Sequence, residues 1–304
     1  MSKKSELTVA GRTLAVSNLD KVLYPKAGFT KAQVIDYYVR IAPVLLPHLK
    51  NRPITLKRYP DGVDGFFFYE KQCPSHHPDW VETTPVNSEK KQIDYCMING
   101  LPALVWAANL ADLELHTFLH RAPAISRPTA LAFDLDPGPP ADIVLCCRVA
   151  LWLKAELDEL GLESFAKTSG SKGLQLFVPL NTATSYEKTK PFAHALAEKL
   201  ERDHPKEIVS KMQKVLRSDK VLIDWSQNDE HKTTVNVYSL RAREQPTVST
   251  PVTWREVEQC LKKKDAGLLK FISDQVLARV EKQGDLFEPL LTKKQKLPEM
   301  ARLG

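Results

Sequence analysis

The stretch Phe133-Asp134-Leu135-Asp136-Pro137-Gly138-Pro139 constrains this chain more than any other, because it places two carboxylates at the end of an apolar run, Ala130-Leu131-Ala132. On a β-strand successive side chains alternate between faces, so Asp134 and Asp136 point the same way. Pro137 and Gly138 stop the strand, since proline offers no N–H to a ladder and Pro-Gly favours a turn. Two carboxylates held side by side repel unless a cation sits between them. A divalent ion with all-oxygen ligation, Mg²⁺ or Mn²⁺, answers that need. The competing reading is a solvated Asp-x-Asp at a turn, and the motif alone does not separate the two.

A chain of 304 residues suits one large domain or two modest ones, and 43% hydrophobic residues can fill a substantial core. Lys+Arg 43 against Asp+Glu 37 gives +6, a balance that fits an anionic partner and fits a solvated surface equally well. The five cysteines (Cys73, Cys96, Cys146, Cys147, Cys260) form no even framework and no secretory leader precedes them, which points to a reducing cytosol. No apolar run approaches the ~18 residues of a membrane helix.

In chain order, Leu7-Thr8-Val9 and Leu14-Ala15-Val16 read as short strands. Thr30 can cap a helix from Lys31 to about Leu46, with Val34, Tyr37, Tyr38 and Ile41 at helical spacing. Lys31 then lies in the first turn, where a cation opposes the helix dipole and an anionic ligand would suit it. The bland alternative is a free surface lysine. Pro53 to Pro60 alternates like a strand, with Lys57 and Arg58 on opposite faces. Phe66-Phe67-Phe68-Tyr69 follows a turn; one strand cannot bury four consecutive aromatics, so two are expected in the core and others at the surface. Cys73, His76 and His77 have no second Cys/His cluster at zinc spacing, which argues against a zinc site. A helix is expected to start near Leu101, another over Asp142 to about Leu160 ended by Gly161, and further ones over 185–203 and 205–216. Thr253 caps one more, and 261–304 reads as a peripheral tail.

The remaining chemistry clusters in a few places. Glu163 to Leu180 reads as strand, Gly/Ser/Lys turn, strand: an anion-binding hairpin rather than a P-loop, since the Gly-x4-Gly-Lys spacing is missing. Val221-Leu222-Ile223-Asp224 ends a second apolar strand in a third acid, and 233–243 reads as a strand finishing in Arg241 and Arg243. Three acids could hold two divalent ions, while the turn and an arginine could hold a triphosphate.

Four ordered words, Phe-Asp-Leu-Asp-Pro-Gly-Pro, Lys-Thr-Ser-Gly-Ser-Lys-Gly-Leu, Leu-Ile-Asp-Trp-Ser-Gln-Asn and Tyr-Ser-Leu-Arg-Ala-Arg, resemble the polymerase domain of bacterial DNA ligase D, within the archaeo-eukaryotic primase superfamily. The resemblance runs from Leu19-Asp20-Lys21 to Pro251-Val252-Thr253-Trp254, and no ligase or nuclease module accompanies it. It implies an α+β fold: a primase-polymerase core with an RNA-recognition-like mixed sheet built from strands near 130, 165, 175, 222 and 237, plus an N-terminal α/β module. The chain would be one domain over 1–304, divided near 110 and 260 into N-terminal module, catalytic core and peripheral tail. The implied activity is template-directed nucleotidyl transfer from NTP or dNTP, with ribonucleotides preferred, in gap filling during non-homologous end joining. DNA with a 5′-phosphate, Ku and a DNA ligase are the implied partners, in the cytoplasm at the nucleoid.

The resemblance also implies roles. Asp134, Asp136 and Asp224 would hold two Mn²⁺ or Mg²⁺ ions. Ser169, Lys172, Gly173 and Arg241 would contact the triphosphate, with His116 and Lys57 near the incoming nucleotide. Lys21 and Lys31 would grip a 5′-phosphate, and Phe68 and Tyr69 would stack on template bases. Arg217 would lie near the site. Gln175 stands where many superfamily members carry histidine and receives no catalytic role. Two other readings compete: a DNA-end-binding module with weak or no catalysis, which has no use for the three acids, and a metal-dependent phosphohydrolase, which has none for the aromatics.

Overall fold

The computed structural model describes residues 4–87 and 91–299, so 300–304 of the expected tail lie outside the described residues. The chain divides into two compact units, and both are discontinuous in sequence.

One unit comprises 124–232, 250–270 and 285–304. Its six-stranded sheet runs in the order Ile208–Val209, Val221–Asp224, Ala130–Pro137, Leu174–Pro179, Phe165–Thr168, Pro251–Val252. The first pair is parallel and the others are antiparallel, so the sheet is mixed as expected. Its central strand is apolar on one face because that face is covered: Leu131, Phe133 and Leu135 are fully buried. After the Pro-Gly turn, Asp142 caps the helix Ile143–Glu159 through the Val144 N–H at 2.8 Å. That helix packs back on the sheet through Cys146, Val149, Leu153 and Leu157.

The expected helix over 205–216 does not form. Ile208 and Val209 instead pair in parallel with Val221 and Leu222, and only Lys214–Leu216 makes a single 3-10 turn. β-Branched residues gain more from a buried sheet edge than from a helix of mixed face. Met212, Val215 and Leu216, by contrast, are exposed, so their apolar spacing marks no buried stripe.

The other unit comprises 1–123, 233–249 and 271–284. Its sheet runs Thr234–Val235, Asp112–Thr117, Pro53–Arg58, Gln92–Met97, Thr83–Asn87, with Phe68–Glu70 beside Pro53–Arg58. The helix Lys31–Leu49 begins at a capping box: Thr30 Oγ1 accepts from the Gln33 N–H, and Gln33 Oε1 accepts from the Thr30 N–H. Its buried stripe is the expected one, Val34, Tyr37, Tyr38 and Ile41, continued by Leu45.

Three expectations are corrected here. The strand near 237 is not in the acidic sheet; Thr234 and Val235 pair with Thr117 and His116. It also breaks early, because Tyr238 sits at φ 62°, and a new strand starts at Leu240. None of the four consecutive aromatics is buried: Phe66, Phe67 and Tyr69 are exposed and Phe68 is half-buried, since two precede and two begin a strand of only three residues. Finally, the cysteines include one pair. Cys73 and Cys96 form a disulfide with Cα atoms 4.9 Å apart, because the segment after the edge strand returns to the Gln92–Met97 strand at the Cys73 N–H to Asp94 O bond. Cys146, Cys147 and Cys260 are free and buried.

Candidate active site

The acidic sheet brings the three carboxylates together by register. Asp134 and Asp136 are both half-buried on one face, with Leu135 fully buried between them on the other. Asp224 lies directly opposite Asp134 on the neighbouring antiparallel strand. Cross-strand partners share a face, so an acid 90 residues away in sequence joins the pair. Burial, then the charges of Asp224 and Asp136, push the Asp134 carboxyl up to about 6, against the lowering influence of Gln175 and Lys167. That is the signature of like charges crowded without enough neutralising charge.

The carboxylates already have local partners. Asp136 meets Lys172 Nζ at 3.0 Å and Arg217 Nη1 at 3.5 Å. Asp224 accepts from the Ser226 N–H at 2.9 Å and hydroxyl at 2.5 Å, and from Gln227 Nε2 at 3.0 Å. Among the described residues no three His, Cys, Asp or Glu side chains stand as a ready metal-coordinating group. The donor set nevertheless fits a hard divalent ion: three carboxylate oxygen ligands on one face, the Asp134 carboxyl raised by burial and by the other two acids.

The Gly/Ser/Lys turn sits against this strand end. The Ser169 hydroxyl accepts from the Ser171 and Gly173 N–H groups, each at 3.2 Å, and the Gly173 carbonyl accepts from the Ser169 N–H at 2.9 Å. A side chain on Gly173 would strike the Leu135 carbonyl at 2.1 Å, so only glycine lets the turn lie on the acidic strand. Lys172 reaches Pro137 O at 3.3 Å as well as Asp136. Gln175, opposite Asp134 on one side, is opposite Lys167 on the other. The buried Lys167 ammonium donates to Gln175 Oε1 at 2.5 Å, and Gln175 bonds to Asp134. The amide oxygen is used by the cation, so its N–H faces the carboxylate. Lys167 was not singled out by the sequence, though the two-residue period from Lys167 to Ser169 was there to read.

In the other unit, Lys57, His116 and Arg241 converge on one residue that sequence reading passed over. Glu114 is 1% exposed and lies 3.3 Å from Lys57 Nζ, 3.0 Å from His116 Nε2 and 3.3 Å from Arg241 Nε. The Ala242 N–H at 3.0 Å and the Tyr59 hydroxyl at 3.5 Å complete its shell. Burial by itself would raise its carboxyl, but the His116 hydrogen bond and the Arg241 and Lys57 charges hold it well below the usual range. Asp112, two residues earlier, is pushed well up by burial despite the Lys57 N–H bond, since no comparable set of cations surrounds it. The signal for Glu114 was its i, i+2 spacing from His116 on one strand.

The exposed aromatics gather around the same cation. Lys57 Nζ sits 4.8 Å from the Phe67 ring centroid and 5.2 Å from that of Tyr69. Phe68 stacks with Phe66 and lies under the Arg58 guanidinium. Lys31 is not a free surface lysine: it is 5% exposed and donates to Ser17 O at 2.7 Å. Burial, helped by the charges of Lys21 and Arg58, lowers its ammonium to about 8. Lys21 pairs with the exposed Asp61 at 3.1 Å.

Comparison with known proteins identifies the family. The family model described as the LigD primase-polymerase domain matches residues 30–287. The Multifunctional non-homologous end joining protein LigD of Mycolicibacterium smegmatis is 42% identical over 90% of this chain and 36% of its own length. The Bifunctional non-homologous end joining protein LigD of Bacillus subtilis is 33% identical over 89% of this chain and 43% of its own. The chain thus spans well under half the length of these relatives. Among solved structures, the polymerase domain of Mycobacterium tuberculosis Ligase D in complex with DNA superposes with a TM-score of 0.86 at 39% identity, covering 93% of this chain and 99% of that one. By the match of the family model over most of its length, by these identities and by the shared α+β fold, the chain belongs to the LigD primase-polymerase domain family.

Proposed function

We propose that this chain is a template-directed nucleotidyltransferase that adds nucleoside monophosphates, ribonucleotides by preference, to the 3′-end at a DNA gap or break. The observation that carries the reading is the register that sets Asp224 opposite Asp134, with Asp136 on the same face beside the Ser169–Gly173 turn. Asp134, Asp136 and Asp224 would hold two Mn²⁺ or Mg²⁺ ions. Such ions, when bound, activate the attacking hydroxyl and stabilise the leaving pyrophosphate. Asp136 pairs with Lys172 and Arg217, and holding a metal ion instead would leave those cations available for phosphate oxygens. Ser169 and Gly173 shape the turn that presents Lys172.

Lys57, His116 and Arg241, fixed on Glu114, would bind the nucleotide. Phe68 and Tyr69, with Phe66 and Phe67, offer π-faces to unpaired template bases. Lys21 and Lys31 would take the 5′-phosphate on the far side of a gap; the lowered Lys31 ammonium marks a place where added negative charge is welcome. The whole chain, 1–304, would act as one primase-polymerase domain. The relatives' description as non-homologous end joining proteins, and the DNA bound to the similar polymerase domain, support gap filling in that process; DNA, Ku and a ligase would be the partners, in the cytoplasm at the nucleoid.

The test is extension of a primer across a 5′-phosphorylated gap, comparing NTP with dNTP in Mn²⁺ and in Mg²⁺. Metal-dependent, template-matched addition is expected. Tight binding to the gap with no extension by the intact protein would replace this reading with the end-binding module, and nucleotide hydrolysis without a primer would favour the phosphohydrolase.

A further inference from the structure

His116 is held by a partner that decides what it can offer. Its ring nitrogen Nε2 lies 3.0 Å from Glu114 Oε2. Glu114 is surrounded by Lys57, Arg241 and the Ala242 N–H, and an ionised carboxylate only accepts hydrogen bonds. Nε2 must therefore carry the proton. A second ring proton is disfavoured, because burial and the neighbouring Arg241 and Lys57 charges outweigh the attraction of Glu114. The other nitrogen, Nδ1, is left with a lone pair. Among the described residues Glu114 is the hydrogen-bond partner of His116, so Nδ1 remains available. The ring cannot swing freely: it lies on the strand between Thr55 and Val235, and Tyr69 meets it edge-on at 5.9 Å.

We propose that Glu114 fixes the tautomer of His116 so that Nδ1 accepts a hydrogen bond from a sugar hydroxyl of the incoming nucleotide, making His116 a reader of the sugar rather than a phosphate clamp. The inference rests on the nucleotide reading above. Its chemistry is exclusion. Phosphate oxygens at neutral pH accept, and so does Nδ1, so the two cannot bond to each other. Base N–H groups differ from one nucleotide to the next. The donors every ribonucleotide shares are its 2′- and 3′-hydroxyls. Lys57 and Arg241, paired with the same carboxylate, are the groups suited to phosphate. One carboxylate thus sorts three neighbours into two roles.

Two measurements test this. In the free protein, two-bond ¹H–¹⁵N spectra of the histidines, with His116 assigned by its loss in His116→Gln, should show a protonated Nε2 and a bare Nδ1 at neutral pH. An imidazolium, or a proton on Nδ1, would overturn the assignment without reference to any activity. In primer extension, KM for an NTP is compared with that for its 2′-fluoro-2′-deoxy and 3′-deoxy analogues, which lack one donor each. The intact protein should lose about three- to tenfold with the analogue missing the donor that Nδ1 uses, and His116→Ala should level that ratio. Unchanged ratios in His116→Ala, or an equal loss for all nucleotides and for inorganic triphosphate, would sink the sugar contact. A protein that extends nothing would instead sink the polymerase reading, and the sugar contact with it, while the spectrum still decides the tautomer.

Discussion

The two units each carry a strand with acids at alternate positions, and the two strands handle their charge in opposite ways. On Ala130–Pro137 the acids crowd one another, and the Asp134 carboxyl is driven up to about 6 by burial and by Asp224 and Asp136. On Asp112–Thr117 a single ionised acid, Glu114, is encircled by Lys57, Arg241 and His116 and driven the other way. The first arrangement has charge to spare and suits a cation from solution. The second has its charge satisfied and serves as a brace that aims two cationic donors and one neutral acceptor. Acidity in a sequence word therefore says little about role; the local balance of charge decides it.

The comparison breaks first at the acidic strand. Asp134→Ala or Asp136→Ala should reduce extension to background while binding to gapped DNA persists, as read by gel shift beside the extension assay; retained extension would remove that residue from the proposed metal site. The brace is tested by Glu114→Ala, which strands Lys57 and Arg241 beside an empty buried site. A loss of about 3–5 kcal/mol in urea denaturation is expected, and a loss near zero would mean that Glu114 carries no structural charge balance. A smaller effect is expected at the lysines. Lys21→Ala with Lys31→Ala should erase the preference for a 5′-phosphorylated gap, worth roughly tenfold in KM. The sign with pH follows from Lys31: its ammonium, lowered to about 8, is charged below that pH and neutral above it. The phosphate preference should therefore fade as pH rises through about 8, and a preference that grows there would count against Lys31. Smallest of all, Lys172→Ala should raise the nucleotide KM several-fold with gap binding unchanged, since Lys172 is mostly exposed and its charge is partly screened.

Much of the site was readable in advance where a side chain's direction follows from its own backbone. The same-face pair Asp134 and Asp136, the Thr30 cap and the stripe Val34, Tyr37, Tyr38, Ile41 all follow from a period of 2 or 3.6. Spacing misled at 205–216, where Ile208 and Val209 found a sheet edge, and at Phe66–Tyr69, where no inner face received them.

By itself, then, the sequence determined which residues of a strand or helix share a face, where the capped helices start, and which acids and cations are on offer. Only tertiary structure decided their partners: Asp224 opposite Asp134, Lys167 behind Gln175, Glu114 among Lys57, His116 and Arg241, and Cys73 on Cys96. The reason is that direction along a strand repeats every two residues and is local, whereas register between strands is fixed by burial summed over the whole sheet.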